Sequence, residues 1–450
     1  MVNKMNNDTI FALSSGFGKS GVAVIRISGD DLQSFAQRII SSPPAEGCRN
    51  GGVVHPRHAY FTNLRDDNGE LIDQCIVIYF AAPASFTGTD IIEIHSHGAP
   101  AVVNKILNFL STQNARLAKP GEFSRRAFLN GKMDLTDVDG LAALLDAQTD
   151  KQRKFALKSM LGGDSEIYTT WRRQMIEIAA YAAAILDYDE NDLPANISKK
   201  ILTKTKELYN KIKESLSRYN ISRAITHGFN IALVGETNVG KSSLFNRLVG
   251  ANRAIVSNTP GTTRDVISAQ IDIDGYLVNL SDTAGLRETN DEIEKQGIDR
   301  TKSEIDSADL ILHVFPSCGE VAPQGDGVVS GKTITIINKC DKIKTRDNKN
   351  AIYTSAQTGE GIDELLNAIR KKMHTILDGA ENSIVINART YKLLADTEIE
   401  LEHAIQKFDG NYDIFAEHVR TAADNIGKIL GTISANDVMD ATFSQLCLGK

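Results

Sequence analysis

The sequence predicts a multidomain α/β protein: an N-terminal α/β domain, then an all-α helical domain, with a second α/β domain inserted into the helical one. Three observations carry this prediction. Short apolar segments, GVAVIRIS, QCIVIYFAAP and DIIEIHSHG, fill the stretch from Gly21 to about Ala118. After KPGEF the apolar residues recur at three-and-four spacing, the period of a helix face. At FNIALVG short strands alternating with helices return and continue to about Met373, where helical spacing resumes. A chain of 450 residues exceeds what one core usually serves, in agreement with several domains.

Taken in order, the first domain has three strand-like runs and the helical segment VVNKILNFL. The helical domain opens with Leu141, Leu144 and Leu145, then Leu157, Met160 and Leu161, then Trp171, Met175, Ile178, Ala182 and Ile185. The acidic stretch DYDENDLP interrupts it and reads as a solvated loop, with a metal site as the alternative. A further helix runs from about Ile197 to Tyr219 and ends near Gly228, and the last helix has Phe415, Val419, Ala422, Ile426 and Ile429 on one face. A first helical half alone cannot cover its apolar faces, so the two halves are expected to pack together. The expected divisions are 1–119, 120–222, an insertion at 223–376, and 377–450. There is no internal repeat and no low-complexity segment.

Composition narrows the class. Hydrophobic residues make up 42% and charged residues 24%, ordinary for a soluble globular protein, and no apolar run suits a membrane span. MVNKMNNDTIFALSSG lacks the core of a secretory signal, and the five cysteines are scattered without CxxC spacing. A cytoplasmic location is expected. The formal charge of −7 argues against a chain that coats nucleic acid, so RNA contact must be local or supplied by a partner.

The chemistry lies in ordered motifs. GETNVGKSS follows a strand and opens a helix, the context of a phosphate-binding loop. Gly235 and Gly240 let backbone N–H groups face phosphates, Lys241 adds a charge at the outer phosphates, and Ser242 offers a Mg²⁺ ligand beside the helix N-terminus. GFGKSG at residues 16–21 looks similar but precedes a strand, and is rejected. TPGTTRD supplies Thr263 as a second Mg²⁺ ligand. NLSDTAG places Asp282 where it can hold the metal through water, with Gly285 meeting the γ-phosphate. NKCD offers Asp341 to the two donor nitrogens of guanine, braced by Asn338 and Lys339, and YTSAQ puts Ser355 and Ala356 beside the guanine carbonyl. Five elements in order point to GTP and resemble translation-factor-like, Ras-like P-loop GTPases. The expected GTP contacts are Asn238, Val239, Gly240, Lys241, Ser242 and Ser243; Ser257, Asn258, Thr259, Pro260, Gly261, Thr262 and Thr263; Asp282, Thr283, Ala284 and Gly285; and the guanine residues above. After DTAG the usual water-positioning Gln is Leu286, which cannot orient water. The missing electrostatics could come from a monovalent cation at Asn238 and the backbone carbonyls of the NTPGTT segment. Glu294 is the carboxylate assigned to the attacking water, a solvated helix-start residue being its other reading.

The whole chain resembles the MnmE (TrmE) family of tRNA-modification GTPases. GVAVIRISG, SFTGTDIIEIHSHG, PGEFSRRAFLNGKMDL, the inserted GTPase domain and the terminal CLGK carry the resemblance. It implies an N-terminal folate-binding-type domain that also forms the homodimer. It implies a partnership with the flavoprotein MnmG (GidA), and tRNA as substrate, with an aminomethyl or carboxymethylaminomethyl group installed on wobble uridine. The implied cofactors are Mg²⁺, a 5,6,7,8-tetrahydrofolate derivative (5-formyl or 5,10-methylene) and K⁺, the last held by Asn238, Ser257, Thr259 and Thr262.

By motif, the implied folate contacts fall on Arg26, Glu93, Lys132 and Lys450. Arg26 shares a strand face with Val22 and Val24, so its charge needs a partner, either a ligand or an internal ion pair; Glu93 suits the donor-rich edge of a pterin. His95 and His97 follow Glu93 at strand period, which brings three metal-capable side chains onto one face, but with no fourth ligand signal a metal is not expected there. Departures from the family pattern are Thr89 in TGTD, a shortened ISANDVMD, and the brief segments PSCGEVAPQGDGVVSGK and KIKTRDNKN, which predict a trimmed GTPase domain with one sheet face thinly covered. Cys447 near Lys450 is given a catalytic or redox role, because a nearby ammonium favours thiolate; the ending fits a prenylation signal poorly. Lys241, Glu294 and Cys447 are the expected catalytic residues. The rival readings are a ribosome-assembly-type GTPase switch without modification chemistry, and a folate-binding protein with a vestigial GTPase.

Overall fold

The structure, a computed structural model, describes residues 8–40, 54–188, 196–255, 267–282, 305–317, 331–343, 346, 348–380, 383–408, 410–433 and 449. By its contacts the chain divides into two compact units, the first of 1–142, 165–172 and 424–450, the second of 143–164 and 173–423.

In the first unit, β1 (Thr9–Leu13), β2 (Ser20–Gly29), α1 (Gln33–Ile40), β3 (Ala59–Arg65), β4 (Leu71–Phe80), β5 (Asp90–Gly98), α2 (Pro100–Ser111) and β6 (Ala115–Leu117) build a six-stranded sheet of order β3-β4-β5-β2-β1-β6. All its pairings are antiparallel except β1 with β6. Side chains alternate across a strand. Ile25 and Ile27, Ile92 and Ile94, and Val77 and Tyr79 therefore share a face with Ala36, Ile39 and Ile40 of α1 and Val103, Ile106 and Leu110 of α2. The intervening residues, Arg26 and Glu93 among them, belong to the opposite face. There Ile10 and Ala12 pack with Ala118 and with Phe123 of α3 (Glu122–Leu129). GFGKSG joins β1 to β2 as a hairpin, as its rejection as a phosphate loop requires. Leu135 and Val138 of α4 (Leu135–Asp146) are buried against Phe128 and Met133. Gly431, at φ 80°, lies so close to Phe128 and Leu135 that a Cβ would come within 2.8 Å of both.

In the second unit, α5 (Asp150–Met160) starts at a capping box between Thr149 and Gln152, and Gln152 also donates to Thr226 O at 2.9 Å. α6 (Gly163–Asp187), which belongs to this unit except for residues 165–172, α7 (Ile197–Ser217) and α8 (Tyr219–His227) follow. Next come β7 (Phe229–Val234), α9 (Lys241–Ala251), β8 (Arg253–Ile255), β9 (Ile267–Ile273), β10 (Tyr276–Asp282), β11 (Leu310–Pro316), β12 (Thr333–Asn338), β13 (Ile352–Tyr353) and α10 (Ile362–Ile376). The sheet order is β13-β12-β11-β7-β10-β9-β8. β7, β10, β11, β12 and β13 run parallel, and β8–β9–β10 is an antiparallel edge. The strands are short apolar runs, and one face of the sheet carries the described core: Leu233, Val278, Leu312 and Ile336 share it with Leu244 of α9, Leu365 of α10 and Phe155 of α5.

The chain then forms α11 (Ala388–Gln406) and α12 (Tyr412–Leu430), and α7 packs along α11 as expected of the two helical halves. Among the described residues no helix is long and apolar enough to cross a membrane. Most of DYDENDLP, residues 318–330 of PSCGEVAPQGDGVVSGK, and the bulk of ISANDVMD lie outside the described residues, so the expectation of a thinly covered sheet face does too.

Candidate functional site

The parallel strands of the second unit end where the nucleotide motifs begin, the usual place for a ligand in an open α/β sheet. After β7 the loop turns sharply: Gly235 lies against β11, where a Cβ would come 2.2 Å from Val314 O, and Asn238 and Gly240 both take positive φ. Gly240 is the N-cap of α9, and Lys241 and Ser242 open that helix. Lys241 is only 4% exposed, and its ammonium donates to the loop carbonyls of Gly235 (2.7 Å) and Glu236 (2.6 Å). Burial holds its pKa below the usual lysine range, opposed by the carboxylate of Asp282.

Ser242 Oγ donates to Asp282 Oδ2 at 2.6 Å. A hydroxyl and a carboxylate so placed at the mouth of a phosphate loop fit a hard, oxygen-seeking cation such as Mg²⁺.

Asn338, at the end of β12, ties the motifs together. Buried to 1% exposure, it donates to Val239 O (3.0 Å) and Gly240 O (3.4 Å) of the phosphate loop. It accepts from Thr354 Oγ1 (3.4 Å) and Ala356 N (3.3 Å). Lys339, at φ 62°, donates from Nζ to Asn238 O at 2.6 Å. Ser355 Oγ donates to Asp341 Oδ1 at 2.6 Å; that hydrogen bond is the main cause holding the Asp341 carboxyl below its ordinary range, keeping it an acceptor. Ser355 and Ala356 therefore serve their neighbours Asp341 and Asn338, a bracing role the motif alone did not indicate. Ser243 follows on α9.

In the first unit, cross-strand register sets Arg26 opposite Glu93. Arg26 donates from Nε (3.0 Å) and Nη2 (2.8 Å) to Glu93 Oε1, and its guanidinium lies 5.4 Å from the Phe86 ring centre and 5.8 Å from that of Phe123. The pair thus has an aromatic surround that the strand pattern did not reveal. Both side chains keep some exposure, 20% and 17%. The histidines behave differently from what strand period suggests. His97 binds Asp73 (Nδ1 to Oδ1, 2.8 Å), while His95 lies 3.4 Å from Glu93, so the three do not converge on one point.

Thr89, the departure from the family pattern, belongs to a hydroxyl triangle with Ser28 and Thr87 at 2.8–3.0 Å. Next to it Asp90 accepts from Ala82 N and Leu32 N, which fixes the loop between β4 and β5. Lys132 sits near that loop: a Cβ on Gly88 would come 3.4 Å from its Cε. Gly449 of the tail is buried against β1, its carbonyl accepting from Ser14 Oγ at 2.9 Å. Since Ala12 is the register partner of Arg26, the tail reaches the strand beside the Arg26 strand.

Ser257, Asn258, Thr259, Pro260, Gly261, Thr262, Thr263, Thr283, Ala284, Gly285, Leu286, Glu294, Cys447 and Lys450 lie outside the described residues.

Comparison with known proteins agrees with this layout. The family model described as the GTP-binding protein TrmE N-terminus matches residues 9–132, and the MnmE helical domain model matches residues 135–447. The tRNA modification GTPase MnmE of Brucella canis is 37% identical over 446 residues, covering 99% of this chain and 98% of that protein. Its counterpart from Brucella anthropi is 36% identical over 452 residues, 98% of each. Among solved structures, the G domain of the T. maritima FeoB iron transporter is 29% identical over 33% of this chain and 98% of that one, but at a TM-score of 0.24 the likeness carries no weight. Two family models that together span most of the chain, and relatives this similar over nearly their whole length, place the chain in the MnmE family of tRNA modification GTPases.

Proposed function

We propose that the chain binds and hydrolyses GTP and couples that hydrolysis to modification of wobble uridine in tRNA. The observation that supports this best is the junction at Asn338, which holds the phosphate loop, the guanine-reading Asp341 loop and the Ser355 loop in one hydrogen-bonded frame. Lys241 and the N–H groups at the start of α9 would receive the phosphates, and Asp341 the donor edge of guanine. Ser242 and Thr263 would hold Mg²⁺, with Asp282 through water; the ion neutralises phosphate charge. Asn238, Ser257, Thr259 and Thr262 would hold K⁺, which supplies positive charge where Leu286 supplies none. Glu294 would orient the attacking water. The family membership of the chain does not favour the ribosome-assembly-type switch.

The finer reading is a homodimer in the cytoplasm, acting with MnmG and using a tetrahydrofolate derivative as one-carbon donor, within the division at residues 119, 222 and 376. The exposed Phe17 (79%) and Val22 (56%) at the β1–β2 hairpin support a dimer surface on the first unit. Arg26 and Glu93, with Phe86 and Phe123 beside them, suit a flat, donor-rich heterocycle, while Lys132 and Lys450 suit its anionic tail; the buried Gly449 supports delivery of Cys447 and Lys450 toward that region. The test is phosphate release from GTP by the purified chain in potassium and in sodium salts. Hydrolysis should be much faster in K⁺, Asn238→Ala should erase the difference, and Lys241→Ala should abolish turnover. No GTP hydrolysis in either salt would overturn the reading, and equal rates in both would remove K⁺ from it.

A further inference from the structure

We propose that the helical hairpin α11–α12 carries a divalent transition-metal site, built from Glu400, His403 and His418 and selective for Zn²⁺-type ions. Glu400 and His403 stand three residues apart on α11, and so on one helix face. His418 comes from α12: its Nδ1 lies 2.7 Å from Glu400 Oε2, and its ring centre 5.4 Å from that of His403. One ligand atom from each of the three lies within 4.8 Å of the other two, so small side-chain rotations bring them onto one ion.

Packing independent of any ion sets the backbone. Phe408, between the helices, meets Phe415 at 5.2 Å and Tyr412 at 5.4 Å, and Leu401, Ala404, Phe415 and Val419 are buried. Ligands on two packed helices need little reorganisation to bind. Glu400 and His418 are about one-quarter exposed, while His403 is exposed and leaves the site open to ions from solvent. The donor set decides the ion: two imidazole nitrogens and one carboxylate oxygen suit Zn²⁺ and its neighbours, whereas Mg²⁺ and Ca²⁺ prefer oxygen alone. Water completes the fourth position. A plain ion pair would need only Glu400 and His418, and would give no reason for His403 to stand beside them. The site shares no residue with the nucleotide motifs or the Arg26–Glu93 pair, so it is a structural clamp on the hairpin.

The experiment uses the full chain, stripped with a chelator and held in excess Mg²⁺ to saturate oxygen-only sites. Zn²⁺ binding is measured by calorimetry, and Co²⁺ is titrated as a spectroscopic probe. One tight equivalent is expected, with visible Co²⁺ bands but no thiolate charge-transfer band, since the site contains no sulfur. His403→Ala, an exposed change that spares the hairpin packing, should weaken binding at least about tenfold, as should Glu400→Gln. Zn²⁺ should raise the melting temperature of the parent chain and not of His403→Ala. Absence of binding, a thiolate band, or affinity unchanged in His403→Ala would overturn the proposal.

Discussion

Removing the Asn338 side chain should weaken nucleotide binding far more than its place at the end of a strand suggests. The amide makes four hydrogen bonds, the best being 3.0 Å to Val239 O and 3.3 Å from Ala356 N, and the others 3.4 Å. In Asn338→Ala all four are lost, at about 0.5–1.5 kcal/mol each for good geometry and less for the longer ones. Water entering the gap offsets part of the cost of leaving the loop carbonyls and the Ala356 amide without partners. The total comes to roughly 2–4 kcal/mol, falling on the segments that would cradle the nucleotide. If that strain is relieved by loosening the phosphate loop, affinity should fall about 30- to 1000-fold, at 1.4 kcal/mol per factor of ten. Titration with a fluorescent GTP analogue measures this directly, with far-UV circular dichroism as the control for folding. A folded Asn338→Ala protein whose affinity stays within about threefold of the parent would refute the view that Asn338 organises the site.

Two other substitutions probe the first unit. Glu93→Gln removes the charge that pairs the partly buried Arg26 and should cost about 1–2 kcal/mol of stability, read as a lower melting temperature. It should also weaken binding of a tetrahydrofolate derivative at least tenfold, about 1.4 kcal/mol; unchanged affinity would separate the pair from folate. Glu122 is subject to burial, which alone would raise its pKa, but hydrogen bonds from Arg116 and Lys119 N, with the Arg116 and Arg126 charges, outweigh it and hold the carboxyl below its ordinary 4.5. Because the folded value is depressed, this stabilisation is fully present above pH 4.5 and is lost as pH falls through the folded value. Glu122→Gln should therefore cost about 1–2 kcal/mol at pH 7, and the two proteins should converge on acidification. Urea midpoints measured against pH check this, and a constant gap at all pH values would contradict it.

Much of the fold was legible because the signals were local. Three-and-four spacing located the helices from Leu141 to Ile185 and from Phe415 to Ile429, and the phosphate-loop glycines required the backbone the structure shows at Gly235 and Gly240. Strands β1 and β3 were missed: TIFAL is short, and AYFTNLR buries the polar Thr62 while exposing the apolar Phe61, so each is stabilised by its sheet neighbours more than by its own pattern. The antiparallel order of the first sheet was also hidden, since pairing joins residues distant in sequence. At the sites, motif spacing pointed to Lys241, Ser242, Asp282 and Asp341, and one-sided strand chemistry to a partner for Arg26; the structure brings Ser242 beside Asp282, Ser355 beside Asp341 and Glu93 beside Arg26. Spacing could not reveal that Asn338 binds two other loops, nor that Phe86 and Phe123 flank Arg26, because those contacts are tertiary. His97 misled for the same reason: Asp73 of the adjacent strand takes it. Glu400 and His403 did leave a Glu-x-x-His signal on one helix, but His418 joins them only across the hairpin.

The most direct test of the functional account is nucleoside mass spectrometry of tRNA from cells that lack this chain and are re-supplied with either the parent or Lys241→Ala. The expected result is that aminomethyl-type wobble uridines disappear in its absence, return with the parent, and do not return with Lys241→Ala. Unchanged wobble uridine in the deletion, or full restoration by Lys241→Ala, would contradict a modification that depends on GTP hydrolysis.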